Sequence, residues 1–327
     1  MSAFSGQSVL VIGAEGFIGS AVVRHLVQAQ AHVHASVFDA STLWRLDKVR
    51  QGLSMHTTDV TDRRAVRQLI DRTNPRQVVH LAAAVDTRRD AALFASMLSV
   101  NIEGTWHVLE ALRHHPVESA VFAGTAEEYG DNPVPFSEAQ RETPVSPYSW
   151  SKVAATHLVQ TYHRLYGVAA CVVRFSVTYG PGQDNELFVP SLIRACLTGQ
   201  VLAMTPGEQT REFNYVDDIV QGILEAAQTP QAAGRVLNLS AGCEYRLRDV
   251  ADLIVKITGA KTLPRMGTIP YRVRESMRHI CAHEAGQRLL GWRPRIELKQ
   301  GLKQTVSWFR RYLSENSATT VDSVHAR

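Results

Sequence analysis

Tyr148 and Lys152 stand four residues apart in Ser146-Pro147-Tyr148-Ser149-Trp150-Ser151-Lys152. On a helix that spacing puts a phenol and an ammonium on one face, a turn apart. The ammonium favours the phenolate, so the pair predicts a tyrosine drawn down toward acid–base work near neutral pH. The spacing alone is common, and its plain alternative is a cation beside an aromatic on a surface helix. The neighbours shift that balance. Gly13, Gly16 and Gly19 form Gly-x-x-Gly-x-x-Gly between the apolar run Ser8-Val9-Leu10-Val11-Ile12 and residues 20–27, which carry helical spacing. Strand, glycine turn and helix in that order suit a dinucleotide pyrophosphate. The glycines allow a tight turn, close backbone approach and tight helix–strand packing, and the helix N-terminus presents its partial positive charge.

These groups need a scaffold, and the rest of the chain predicts one. Further strand candidates are residues 32–37, 77–81, 119–123, 169–175 and 235–239, with helical stretches at 63–73, 93–114 and 148–166. Alternating strand and helix predicts an α/β, Rossmann-like, doubly wound parallel sheet. Beyond Gly180 the pattern is less regular and richer in Pro, Gly and Arg, which predicts a smaller C-terminal substrate-binding lobe. The division expected is 1–175 for the dinucleotide, with about 212–240 returning to it, 176–315 mainly for substrate, and a polar tail at 316–327.

Composition excludes several classes. At 327 residues, 45% hydrophobic and 20% charged, the chain can bury a large core in two lobes. No apolar run reaches the ~18–20 residues of a membrane span. The first seven residues lack a basic region followed by an apolar stretch, so no secretory signal is expected. Cys171, Cys196, Cys243 and Cys281 are scattered singly, which fits a reducing cytoplasm and argues against disulfides and zinc. His32 and His34 share a strand face with no further ligands nearby, so no metal site is expected. A net charge of +4 with dispersed arginines argues against a nucleic-acid partner, whereas an anionic small molecule needs only two or three of them.

Seven segments together carry a family resemblance. They are residues 13–19, His80-Leu81-Ala82-Ala83, Thr125, Tyr148 with Lys152, Tyr179-Gly180-Pro181-Gly182-Gln183, Arg211-Glu212-Phe213 with Tyr215-Val216-Asp217-Asp218, and Leu290-Gly291-Trp292-x-Pro294. From Val9 to about Arg311 the chain resembles the extended short-chain dehydrogenase/reductase family of nucleotide-sugar epimerases, dehydratases and reductases. The resemblance implies that Gly13, Gly16, Phe17, Ile18 and Gly19 hold the dinucleotide, with Asp59 and Val60 beside the adenine and Leu81, Ala82 and Ala83 along the cofactor. The family's ribose acid should fall near Val37, with an arginine often following where this chain has Phe38. Either Asp39 takes the acidic role or Arg45 reaches a 2′-phosphate, which leaves NAD and NADP both open.

The resemblance makes Tyr148 the acid or base on a sugar oxygen. Lys152 tunes it and holds the nicotinamide ribose, and Thr125 hydrogen-bonds the same sugar oxygen. Family dTDP-glucose 4,6-dehydratases carry Thr-Asp-Glu where this chain has Thr125-Ala126-Glu127, so the proton donor of that reaction is missing. GDP-mannose-type dehydratases carry Thr-Ser-Glu, which keeps Glu127 as a candidate base. Glu127-Glu128-Tyr129-Gly130 also looks like the 4-keto-6-deoxy-sugar reductases, although a solvated turn explains Glu128 equally well. On the substrate side the resemblance gives Arg211 and Arg272 to a nucleotide diphosphate, with Gln183 also at the substrate. Paired guanidiniums suit phosphate oxygens. Val177 replaces an asparagine that contacts the phosphates in many epimerases, which counts against a UDP-sugar 4-epimerase. The leading expectation is therefore NAD(P)-dependent reduction of a nucleotide-linked 4-keto-6-deoxy sugar. A 4-epimerase with tightly held NAD is the alternative, and 4,6-dehydration comes third. Family members commonly dimerise through two helices per subunit, here residues 93–114 and 148–166.

Overall fold

In the computed structural model, which describes residues 3–272 and 275–322, the chain alternates strand and helix from its start. The first half contains β1 (Ser8–Ile12), α1 (Phe17–Gln28), β2 (His32–Val37), β3 (Leu53–Thr57), α2 (Arg63–Thr73), β4 (Gln77–His80), α3 (Phe94–Ser96), α4 (Gly104–His114), β5 (Ser119–Ala123) and α5 (Pro147–Tyr166). There follow β6 (Ala170–Phe175), β7 (Val177–Tyr179), α6 (Phe188–Thr198), β8 (Thr210–Arg211), β9 (Phe213–Tyr215), α7 (Val216–Gln228) and β10 (Val236–Leu239). The chain closes with β11 (Tyr245–Arg246), α8 (Leu247–Thr258), α9 (Glu284–Leu290) and α10 (Leu298–Asp322). Seven strands form one sheet in the order β10-β6-β5-β4-β1-β2-β3, every pair parallel. The strand order reverses between β1 and β4, where an open α/β sheet leaves a crevice at its carboxyl edge.

Burial on both faces explains the continuous apolar strands. One side of the sheet packs Val9 and Val11 with Val22, Leu26, Ile219 and Ile223 of α1 and α7. The other packs Leu10 and Ile12 with Val66, Leu69, Val108 and Leu109 of α2 and α4. The later part of the chain outside this sheet is built from β8–β11 and β7–β9 pairs with α6, α8 and α10 packed together. The Gly291-Trp292 motif ties it to α7. Gly291 ends α9 at φ 66°, and the buried Trp292 indole donates to the Asp218 carbonyl at 2.8 Å. The polar segment from Asn316 continues as helix to Asp322.

Residues 93–114 are not one regular helix. Between α3 and α4 the backbone runs as a π-helix over Met97–Glu103, a widening that recurs at functional sites. It places Asn101 so that its amide bonds both Ala84 N–H (2.8 Å) and Ala84 C=O (2.9 Å) and donates to Ser151 Oγ (2.9 Å). The segment after β4 is thereby tied to α5.

Candidate active site

The glycine turn lies where the sequence places it. Gly13 and Ala14 N–H both donate to Ser36 C=O at 3.0 Å, and Leu81 and Ala82 N–H donate to Ile12 C=O. A Cβ on Gly13, whose φ is +83°, would lie 2.5 Å from Ala82 N, and one on Gly19 would overlap Gly13 O. Only glycine fits either position. Gly16 caps α1 with no side chain, so the first-turn N–H groups open toward the adjoining cleft. That cleft holds about 340 Å³ and is lined by Gly13, Glu15, Gly16, Asp59, Val60 and Leu81 through Ala84, among others. A free helix N-terminus, a backbone cradle and an apolar slot fit a dinucleotide. Phe17, Ile18 and Gly19 support this wall from α1 rather than lining it, and Asp39 is exposed beyond it.

The catalytic candidates come from two elements. Ser146 caps α5 in a capping box with Ser149, and Pro147 occupies the first turn, so the helix starts immediately before Tyr148. Thr125 follows β5, and its side chain hydrogen-bonds Tyr148. Both are buried, as is Lys152, which lies near His80, Phe122 and Thr156. The electrostatics differ from the expected direction. Tyr148 is held well above the usual phenol range, by burial first and then by Glu127 and Glu128, while the Thr125 hydrogen bond opposes. Lys152 is lowered by burial, with Glu128 resisting. Burial and the two carboxylates set the direction for Tyr148. The same burial, reinforced by Lys152, pushes His80 down to about 3.

Glu128 is no solvated turn. It is fully buried, accepting from Thr125 N–H (2.9 Å), Thr156 Oγ1 (2.8 Å), and Arg174 Nε (3.0 Å) and Nη2 (2.6 Å). Arg174 also donates to Glu142 at 2.6 Å and stacks over Tyr129 at 4.6 Å. Thr125-x-x-Glu128 is a capping box, so a local signal for Glu128 existed in the sequence.

Glu127 lies in a second cleft with Arg211, Arg272, Thr87, Arg89, Ser146 and His279. Arg211 is pinned by Ser276 C=O (2.8 Å) and by the Glu275 carboxylate, and Arg272 reaches Thr87 Oγ1 at 3.4 Å. The two predicted guanidiniums therefore share one cleft. Gln183 does not join them: it is buried and donates to Thr178 C=O at 2.7 Å. Val273 and Arg274, beside Arg272 in the sequence, lie outside the described residues. No sequence pattern marked His279. Its ring is buried, with Nδ1 3.1 Å from Ser176 Oγ and Nε2 without a hydrogen bond, 3.7 Å from Glu127 Oε1. Burial holds it below the usual imidazole range; Glu127 opposes and Arg211 reinforces.

Residues 9–240, which include both the glycine turn and the Tyr148–Lys152 pair, match the family described as NAD dependent epimerase/dehydratase. The chain belongs to that family. It is 32% identical to the dTDP-glucose 4,6-dehydratase of Streptomyces griseus over 94% of this chain and 95% of that one. It is 27% identical to the UDP-glucuronate 4-epimerase of Thermodesulfobacterium geofontis, over 91% and 95% respectively. Among solved structures, the UDP-glucose 4-epimerase of Thermotoga maritima with UDP-glucose superimposes with a TM-score of 0.85 at 27% identity, covering 93% of this chain and 99% of that one. The chain is thus an NAD-dependent nucleotide-sugar enzyme of the extended short-chain dehydrogenase/reductase type, which resolves the cofactor alternatives toward NAD. Among the described residues no helix is long and apolar enough to cross a membrane, and no group of three or more His, Cys, Asp or Glu could hold a metal.

Proposed function

We propose that this family member is a nucleotide-sugar 4-epimerase. The relatives above are 4-epimerases and a 4,6-dehydratase, which favours the epimerase alternative over the 4-keto-sugar reductase expectation. The observation that carries the choice between the two is position 126. Ala126 is fully buried beside Tyr129 and Phe136 and offers no proton. Eliminating water from a hexose requires a base at C5 and an acid at the departing hydroxyl. Glu127 could supply the first. His279, kept neutral by burial, is a poor choice for the second. Val177 lies outside the second cleft, so the diphosphate falls to Arg211 and Arg272.

Bound NAD supplies the hydride acceptor and donor. The chain's own groups do the rest. Tyr148 acts through its ionised form: as the phenolate its Oη takes the proton from the C4 hydroxyl, and as the resulting phenol it returns that proton to the C4 oxygen in the other configuration. Thr125 hydrogen-bonds that oxygen, and the Lys152 ammonium favours the phenolate that starts and ends the cycle. Arg211 and Arg272 grip the diphosphate by paired hydrogen bonds while the ketosugar turns. Exposed Phe94, Leu98 and Trp150, the first and last in edge-to-face contact at 5.4 Å, support a homodimer through residues 93–114 and 148–166. The unpaired Cys171, Cys196, Cys243 and Cys281 support a reducing cytoplasm as its location.

The test is a panel of UDP- and dTDP-hexoses labelled with deuterium at C4, followed by NMR. A 4-epimerase yields the C4 epimer with deuterium retained at C4 and no net change in nicotinamide absorbance. A 4-keto-6-deoxy product would establish dehydration instead, and stoichiometric cofactor consumption would restore the reductase.

A further inference from the structure

The end of β2, where the family's ribose acid should fall, carries nothing able to hold a ribose. Val37 is buried in the core and Phe38 is apolar and exposed. Asp39 is exposed and lies off the cleft wall. Arg45 is turned toward Gly182 and Asp184. Its Nε donates to Gly182 C=O at 2.7 Å, its Nη1 to the Glu15 carbonyl at 3.4 Å, and its Nη2 lies 4.0 Å from Asp184. It does not line the cleft either.

Glu15 does. It is the third residue of the glycine turn, and its Oε1 accepts the Phe38 N–H at 2.7 Å, so the carboxylate is moored to the end of the adjacent strand β2. Its Oε2 is shielded from solvent yet has no hydrogen-bond partner. On the same wall Ser36 Oγ is likewise buried and unpartnered. Buried polar atoms left without partners are uncommon, and two of them facing one ligand cleft call for a polar ligand group.

We infer that Glu15, from the glycine turn, replaces the missing β2 acid and makes this chain select NAD over NADP. A carboxylate has acceptor capacity for both hydroxyls of a vicinal diol, and its second oxygen here is free to take them. A 2′-phosphate at the same place brings an anion of about −2 against this carboxylate, while Arg45, the neighbouring cation, is held by the Glu15 and Gly182 carbonyls and faces Asp184. The acid has moved in sequence but keeps its place in space, because the Phe38 N–H fixes it there.

The inference is independent of the sugar, and so is its test. Cofactor-free full-length protein is titrated calorimetrically with NAD and with NADP. Wild type is expected to bind NAD at least tenfold more tightly. Glu15→Gln keeps an amide oxygen for the Phe38 N–H but loses the charge, and should reduce that ratio at least tenfold, with NADP binding improving as NAD binding weakens. Glu15→Ser, checked by thermal melting, is the second variant and should shift the ratio in the same direction. Asp39→Asn should leave it within twofold of wild type. The inference is overturned if wild type prefers NADP, if a folded Glu15 variant keeps the wild-type ratio, or if Asp39→Asn is the substitution that collapses it.

Discussion

Replacing Glu128 by alanine should unfold this enzyme's catalytic loop energetically before it touches the chemistry. The carboxylate is fully buried and receives four hydrogen bonds, two of them from the Arg174 guanidinium. Hydrogen bonds to charged groups contribute about 1.5–3 kcal/mol each, but they do not add, and most of the cost here is electrostatic. Removing one partner of a buried ion pair costs about 3–5 kcal/mol because the other charge stays buried. Arg174 keeps Glu142 at 2.6 Å, and that side chain is only 12% exposed, so the remaining cation is partly compensated. The loss should therefore sit near about 3 kcal/mol, a large share of the ~5–15 kcal/mol that holds a domain together. Urea unfolding should show it as a midpoint lowered by roughly 1 M at an m-value of ~3 kcal/mol/M. Turnover of the protein that remains folded should also fall, since Thr125 N–H loses its acceptor and the hydroxyl facing Tyr148 is no longer fixed. Replacing both ends of the pair, Glu128→Leu with Arg174→Met, should recover part of the stability, because the buried charges at 128 and 174 go together while Glu142 loses Arg174 and keeps His157 at 3.4 Å. A single-variant loss below about 1 kcal/mol, or a double variant no better than the single, would refute this account of the pair.

Three other expectations follow from the same geometry. Tyr148→Phe should lower kcat by about 10²–10⁴ while leaving cofactor and nucleotide-sugar binding in place; unchanged turnover would remove Tyr148 from proton transfer. Arg211→Ala should raise KM for the nucleotide sugar about tenfold, or ~1.4 kcal/mol, and free uridine or thymidine without phosphates should inhibit wild type and variant alike. Glu212 is buried, and burial raises its carboxyl to about 7 despite hydrogen bonds from Ser240, Ala241, Cys281 and Gly242. A raised acid binds more protons in the folded than in the unfolded state, so its contribution to stability is greatest below the ordinary carboxylate range and falls as pH rises through about 7. Glu212→Gln should flatten that part of the stability–pH curve in chemical denaturation, and parallel curves for the two proteins would sink the assignment.

What the sequence disclosed depended on how local each signal is. The parallel sheet was legible because strands buried on both faces read as unbroken apolar runs such as Ser8–Ile12, and the cofactor turn because three glycines carry their own spacing. Tyr148 and Lys152 were legible for the same reason, being one helical turn apart. Their electrostatics were not. The sign of the Tyr148 shift is set by burial and by Glu127 and Glu128, which lie some twenty residues away along the chain. Glu128 and Arg174 are 46 residues apart, and nothing in either neighbourhood says that they meet. His279 reaches the cleft only because residues 279–282 pair with the loop at Phe136, whose N–H donates to Ile280 C=O at 2.8 Å. Gln183 differs again: a motif pointed to substrate, while its amide N–H bonds its own loop at Thr178 C=O and its Oε1 is buried without a partner.

On the proposed 4-epimerase reading, two groups of elements divide the task. A ketosugar must be free to turn while its oxygen at C4 finds the same proton donor twice, so the enzyme must hold the two ends of the substrate and leave the hexose between them loose. Here the proton-transfer end is built entirely on the sheet side. Thr125 is fixed by Glu128, α5 is fixed by the Ser146–Ser149 cap, and Asn101 of the π-helix ties α5 at Ser151 to Ala84 after β4. The diphosphate end comes from the later part of the chain, where Glu275 and Ser276 pin Arg211 and Arg272 spans back to Thr87. Neither guanidinium hydrogen-bonds to Thr125, Tyr148 or Lys152 among the described residues, so on this reading the grip on phosphate and the handling of the proton use different hydrogen bonds. That separation is what a rotating intermediate requires. It is also why loss of Arg211 should appear in KM and loss of Tyr148 in kcat.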